Sequence, residues 1–314
     1  MKYYVGIDLG GTNIAVGLVD ENGNIIAKDS TKTLHERGYE AIVADMARLY
    51  FKLLEENGVK EEEVISAGIG APGSVDYDRG VIIYANNLDF DNVPLADELE
   101  KHISKPVFVD NDANCAAWAE FAAGSAKGCK SAVVITLGTG VGGGVITDGK
   151  MQSGHNFCGG ELGHMVIDVN GPLCTCGRKG CFEVYSSATG LINMTKEFAE
   201  KDKNSKMWDY TKEGKFNGRT AFLAANDGDE TAKAVVEKFT DYLATGVANL
   251  INIFQPEIFV IGGGLSNEGD NLIEPLKKKV FLQTYTDPNV IPMCDIVKAK
   301  LGNDAGIIGA ALLK

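Results

Sequence analysis

Twice in this chain an apolar run climbs into Leu-Gly, turns on glycine and comes back as a second apolar run that ends at Asp. The first copy runs from Lys2 through Leu9-Gly10-Gly11 to Asp20, and the second from Ala132 through Leu137-Gly138-Thr139-Gly140 to Asp148. Leu9-Gly10 aligns on Leu137-Gly138, and the same offset carries Asp20 onto Asp148. A strand reversed by so short a turn pairs antiparallel with its own continuation, and glycine supplies the backbone freedom the turn needs. The repeat predicts two domains, each opened by a β-turn-β unit. With 314 residues, 45% of them hydrophobic, the chain is long enough for two cores.

The rest of the pattern is α/β. Asn22-Gly23 between apolar runs marks a hairpin into a strand over Ile25–Asp29. Ile42, Met46, Leu49, Leu53 and Leu54 fall on one face of a helix over Tyr39–Glu56, closed by Asn57-Gly58. A strand over Val64–Ile69, a short amphipathic helix over Leu95–Ile103 and a buried strand over Val107–Val109 follow. In the second half a long helix over Thr231–Phe254 is stopped by Gln255-Pro256, and a strand over Ile258–Ile261 runs into Gly262-Gly263-Gly264. Lys203–Gly218 is polar and irregular and reads as a surface insertion, and Asp304–Leu313 as a helix of small residues.

The net charge of −13 argues against a nucleic-acid groove, which needs clustered Lys and Arg. No run of about 18 apolar residues is present, so no membrane span is expected. The opening residues read as a strand rather than a secretion signal, so a cytoplasmic protein is expected. Seven cysteines, unevenly spaced, do not form a secreted disulfide frame. Cys115, Cys129, Cys158 and Cys294 read as reduced thiols in or near the core.

Several clusters carry chemistry. In Asp8-Leu9-Gly10-Gly11-Thr12-Asn13 the glycines let backbone N–H groups approach a phosphate, Thr12 and Asn13 add donors, and Asp8 can hold Mg²⁺ through water. A plain hairpin explains the same string. Gly138-Thr139-Gly140-Val141-Gly142-Gly143-Gly144 contains a G-x-G-x-x-G match, but it leads into a strand, not the helix a dinucleotide fold requires. A β-turn-β phosphate loop fits better. Gly262-Gly263-Gly264, after a strand, can lie flat against an adenosine or simply supply a turn. Asp110-Asn111-Asp112 stands at the carboxyl end of a strand, where ligands sit in α/β sheets, just before an Ala-rich helix. A carboxylate at that helix N-terminus stays ionised and can accept a proton from an attacking hydroxyl, or it is only an N-cap.

Cys174-x-Cys176-x₄-Cys181 in a Gly- and Pro-rich loop, with His164 ten residues earlier, supplies three thiolates and an imidazole. That set suits a closed, structural zinc site. Glu161 and Glu183 flank the loop, and a metal would aim them and the outer face of His164 at the vicinal hydroxyls of a sugar. Solvated loop glutamates are the plainer alternative.

Together these strings resemble the ROK group of sugar kinases and sugar-responsive repressors, and its bacterial glucokinases most. The resemblance rests on Asp8–Asn13, Ala71-Pro72-Gly73, Asn111–Asn114, Leu137–Gly144, Gly159–His164, Cys174–Glu183 and Gly262–Gly264, and covers nearly the whole chain. It implies an α/β actin-like ATPase fold, two ribonuclease-H-like domains around a central cleft, with residues 1–118 plus 301–314 in one and 119–300 in the other. It implies that Asp112, not Asp110, is the base. Asn111, Glu161, His164 and Glu183, with Gly73 and Asn87, would bind sugar hydroxyls. Thr12 and Thr139 would meet the phosphates of ATP, Gly263 the adenosine, and the chain would form a homodimer or homotetramer. Phe90 and Phe182 stand where relatives often carry other apolar residues.

The expected activity is transfer of the γ-phosphate of ATP to glucose, with Mg²⁺ and a structural Zn²⁺. Another hexose or an N-acetylhexosamine is the alternative substrate, and polyphosphate an alternative donor. A repressor would need a DNA-reading helix-turn-helix ahead of the first strand, where only a few residues precede Asp8. Intact glycine loops and Asp112 argue against a non-catalytic sugar sensor.

Overall fold

A computed structural model of the chain describes residues 2–287 and 290–314. Its first strand, β1 (Tyr3–Leu9), turns at the first glycine pair and pairs antiparallel with β2 (Asn13–Asp20), Leu9 opposite Ile14 and Asp8 opposite Ala15. β3 (Ile25–Lys32) follows after the Asn-Gly turn and runs three residues further than the apolar pattern suggests. Beyond Asp29 its hydrogen bonds to Asn13–Ala15 hold polar residues in the strand. Helix α1 (Tyr39–Glu56) has the bounds its periodicity predicts and buries Ile42, Met46, Leu49, Leu53 and Leu54.

β4 (Val64–Ala71) lies parallel to β1. A small antiparallel sheet, β5 (Ser74–Asp76), β6 (Val81–Ala85) and β7 (Phe90–Val93), comes next. Helix α2 (Leu95–Glu100) is shorter than expected, although Ile103 just beyond it is buried. β8 (Val107–Asn111) then pairs parallel with β4 and runs straight into α3 (Asp112–Ala122). The resulting sheet has the order β3-β2-β1-β4-β8.

The second sheet repeats that plan. β9 (Ala132–Leu137), β10 (Val141–Thr147) and β11 (Lys150–Met151) form its hairpin side. Helices α4 (Phe182–Ser186), α5 (Ala188–Lys201), α6 (Thr220–Asn226) and α7 (Glu230–Phe254) precede β12 (Ile258–Gly262). α8 (Asp270–Phe281) precedes β13 (Asp295–Lys298). The order is β11-β10-β9-β12-β13, with β12 parallel to both β9 and β13. Two sheets of this order, each a three-strand antiparallel run extended by two parallel strands, are the expected ribonuclease-H-like pair of the actin-like ATPase fold.

The chain divides into two units. One comprises residues 1–130, 144–160 and 300–314; the other comprises 131–143 and 161–299. The first boundary falls after Lys130, not after residue 118, because α3 packs on α9 (Ala305–Ala311), the helix that returns to the first sheet. That helix lies unusually close. A Cβ on Gly68 of β4 would overlap the Ala310 carbonyl, and one on Gly309 would overlap that of Cys115 in α3. On the other face of the first sheet, Ile7, Val16 and Ile69 share a core with Met46, Leu49 and Tyr50 of α1 and Leu95 and Leu99 of α2.

In the second unit Phe182, Phe222, Phe239, Leu243, Val247 and Phe259 are buried. The polar stretch Lys203–Gly218 is not simply a surface insertion. Met207 is fully buried within it, and Ser205 caps a single 3₁₀ turn by accepting from the Met207 N–H. Met207, Trp208, Tyr210 and Phe216 are scattered among polar residues without a helical or strand period, so the anchoring role of Met207 was invisible in the sequence. Among the described residues no helix is long and apolar enough to cross a membrane.

Candidate active site and metal centre

The first unit holds the Gly10-Gly11 turn and the carboxylates at the β8–α3 junction. Gly10 N–H donates to the Asn13 carbonyl at 2.9 Å, closing the turn, and the Thr33 hydroxyl donates to the Gly10 carbonyl at 2.6 Å from below. Thr12 stays exposed at the apex, while the Asn13 side chain accepts from Lys32 Nζ at 2.9 Å and so is occupied along the sheet. Asn87, in a 3₁₀ turn after β6, backs Gly11: a Cβ there would sit 3.4 Å from the Asn87 carbonyl oxygen.

At the β8–α3 junction the cap falls to Asn111, not to either aspartate. Asn111 Oδ1 accepts from Ala113 N–H at 2.9 Å and Asn114 N–H at 3.2 Å, and its Nδ2 donates to the Gly73 carbonyl at 3.0 Å. One amide hydrogen of Asn111 remains for another acceptor. Asp110 is buried, accepting from Asn114 Nδ2 at 2.9 Å and from Asn111 N–H at 2.6 Å. Burial raises its pKa against the pull of those two bonds. Asp112 is exposed as the first residue of α3 and accepts from Ala113 N–H at 2.8 Å. Its charge is felt at Asp8: burial first, and Asp112 second, push the Asp8 carboxyl up to about 6. Two carboxylates that repel in this way hold a cation well.

In the second unit, β9 ends at Leu137 and Gly138-Thr139-Gly140 turns into β10, with Gly138 N–H donating to the Gly140 carbonyl at 3.0 Å. Three groups outside the turn hold it. Ala188 N–H donates to the Gly138 carbonyl at 2.8 Å, Thr189 Oγ1 to the Thr139 carbonyl at 2.7 Å, and Val141 N–H donates to Glu183 Oε2 at 3.0 Å. Any side chain at Gly140 would collide with the Glu183 carboxylate. Gly262 ends β12, and Gly263 follows at φ 77°, where a Cβ would run into the Leu137 backbone, so that position is restricted to glycine on two counts.

The metal-ligating set comes together. One ligand atom each from His164, Cys174, Cys176 and Cys181 lies within 4.8 Å of the others. Cys176 Sγ and Cys181 Sγ are 3.6 Å apart, and Cys174 Sγ is 3.7 Å from His164 Nδ1. A tetrahedral zinc with bonds of about 2.3 Å needs sulfurs about 3.8 Å apart, so the four residues fit such an ion. The thiols differ. The Arg178 backbone N–H lowers the pKa of Cys176, whereas burial pushes Cys181 up to about 12. His164 turns its other nitrogen, Nε2, toward Glu161, 3.9 Å away. Glu161 is exposed, and Glu183 reaches back to the centre with Oε1 3.7 Å from Cys174 Sγ.

Of the scattered cysteines, Cys115 is buried and Cys129 and Cys294 are half-buried. Cys158 is exposed, 3.5 Å from Ser74 Oγ, and is no core thiol. Its place in a glycine-rich loop leaves no helix or sheet face to bury it.

Sequence reasoning missed Thr189 and a cavity of 680 Å³ whose lining includes Thr139, Gly140, Glu183, Thr189, Lys238 and Tyr242. Its walls come from α4, α5 and α7 and the metal loop, a packing no local string reveals.

The ROK family model matches residues 4–314. This chain belongs to the ROK family. The ROK protein is 40% identical to a glucokinase from Thermotoga maritima over 98% of its length and 95% of that protein's. It is 39% identical to a glucokinase from Halalkalibacterium halodurans over 99% of its own length and 94% of that chain. Among solved structures it resembles a ROK family glucokinase from Streptomyces griseus in complex with glucose and AMPPNP, with a TM-score of 0.81, 34% identity and 98% of both chains covered. The ROK protein and these relatives therefore correspond along nearly their entire lengths.

Proposed function

We propose that this ROK protein is a cytoplasmic glucokinase that transfers the γ-phosphoryl group of ATP to the 6-hydroxyl of glucose. The observation that carries the proposal is the division of labour at the β8–α3 junction. Asn111 takes the cap and Asp110 is buried and bonded, which leaves Asp112 exposed at the helix start. Its likeness to glucokinases over the full chain selects the substrate.

In this scheme Asp112 accepts the proton of the 6-hydroxyl as that oxygen forms its bond to phosphorus and the bond to the β-phosphate oxygen breaks. Most of the acceleration comes from alignment and charge neutralisation. Thr12 and Thr139, with the glycines of their turns (Gly10, Gly11, Gly138 and Gly140), receive phosphate oxygens, and Gly262, Gly263 and Gly264 line the adenosine. Asp8, at the end of β1 beside the glycine turn and facing the charge of Asp112, would hold Mg²⁺ through water, and the ion would supply positive charge to the phosphates. Asn111, Glu161, His164 through Nε2, and Glu183 hold the sugar hydroxyls, with Gly73 and Asn87 beside them. His164, Cys174, Cys176 and Cys181 would give a zinc ion four protein ligands and hence a structural role. Exposed Ile253, Leu282 and Tyr285 offer apolar surface for assembly as a homodimer or homotetramer.

A coupled assay over hexoses and N-acetylhexosamines, with ATP or polyphosphate as donor, tests the proposal. Glucose with ATP is expected to give the highest kcat/KM. A higher value for an N-acetylhexosamine, or for polyphosphate, would overturn it.

A further inference from the structure

We propose that the metal loop and the Gly138–Val141 turn are one mechanical assembly, in which the metal centre sets the shape of the turn and Thr189 is a positioning residue. The inference rests on the phosphate-binding role given to that turn above. Cys181, a ligand, is the N-cap of α4, and the chain that continues from it supplies every outside bond to the turn described above. Glu183, two residues on, accepts from Val141 N–H; Ala188 N–H holds the Gly138 carbonyl; Thr189 Oγ1 holds the Thr139 carbonyl. The bonds alternate between side chain and backbone and act on three of the four residues of the turn.

The origin of this segment is fixed from both sides. Phe182 N–H donates to the Met165 carbonyl at 2.7 Å, next to His164, and Glu183 Oε1 lies against Cys174. Two of the four ligands, Cys174 and Cys181, thus border the clamp directly. Phe182 is fully buried beneath Gly246 of α7, where a Cβ would overlap its ring. With one end held by ligands and core, a displacement of the metal loop moves Glu183, and at Gly138 and Gly140 the turn has no side chain to resist. Glycine-rich backbone keeps one conformation only when its surroundings impose it. Thr189 and the Ala188 amide act on carbonyls rather than on any ligand, so their effect passes through the shape of the turn.

Hydrogen–deuterium exchange of the peptide over residues 137–143 tests this on the full chain, zinc-loaded and after removal of zinc by a chelator. Stripping is expected to speed exchange in that peptide about tenfold while peptides from α7 stay protected. In the zinc-loaded protein Thr189→Val should loosen the same peptide, and Thr189→Ser, which keeps the hydroxyl, should restore it. Unchanged exchange of residues 137–143 after stripping, or in Thr189→Val, overturns the proposal. AMPPNP affinity by calorimetry without sugar is the second arm, and it should fall several-fold wherever exchange rises. Faster exchange with no AMPPNP binding by any form would remove the nucleotide assignment and leave the mechanical link standing.

Discussion

Asp8 holds a proton in the folded chain over a range in which an ordinary aspartate has already lost it. Its carboxyl titrates near 6 instead of 3.8, because it is half-buried, which strips water from it, and faces the charge of Asp112. Between those two values the folded state binds a proton the unfolded state lacks, so stability falls as pH rises through that window. Above it, ionised Asp8 opposes folding by at most about 3 kcal/mol. Asp8→Asn should therefore raise the urea midpoint at pH 7.5, the gain should vanish by pH 4, and turnover should drop. A mutant no more stable than the parent at pH 7.5 would disprove the burden assigned to Asp8. Asp112→Asn is expected to reduce kcat by roughly 10²–10⁴-fold, with glucose affinity by calorimetry little changed. At this scale the sequence narrowed the base to two aspartates. The resemblance singled out Asp112, but the residues alone left open whether an aspartate merely caps α3; capping depends on which residue has extended backbone, and that residue is Asn111, with ψ 145°.

Among elements, the bounds of α1 and the long α7 could be read almost to the residue, since their apolar faces repeat at helical spacing and their stops are strong. Asp229 caps α7 by accepting from Ala232 N–H at 2.6 Å, one turn earlier than the apolar face begins. The latch at the other end of α3 was not legible. Glu120 is buried and accepts backbone N–H bonds from Ser125 at 2.7 Å, Lys300 at 3.1 Å and Leu301 at 2.8 Å. Two of those partners, Lys300 and Leu301, lie about 180 residues away and leave no trace in a local pattern. Glu120→Ala strands those donors, and a loss of about 3 kcal/mol is expected in urea unfolding. Gly309→Ala should destabilise by about 1–3 kcal/mol or more, since α9 must back away from α3 to admit a methyl group. A midpoint within error of the parent for Gly309→Ala would mean that the close approach is unimportant.

For the molecule as a whole, the glycine-turn repeat foretold two sheets of one plan, and the Cys/His spacing foretold the ligand cluster. The resemblance already implied that the C-terminal segment rejoins the first unit; what it did not give was that residues 119–130 and 144–160 also belong there, because α3 packs on α9 and a local string does not show which unit a loop packs on. Metal analysis should return about one zinc per chain, and chelation or Cys176→Ala should lower the melting temperature by several degrees. Zinc-free protein with an unaltered melting curve would rule out a structural ion.

The return of α9 also governs the order of assembly during translation. The strands of the first sheet leave the ribosome early, but the helix that covers one of their faces is made only after the entire second unit. The later-made unit is thus able to finish folding first. Until then the nascent first sheet has one apolar face without its native cover and is a natural client for a chaperone.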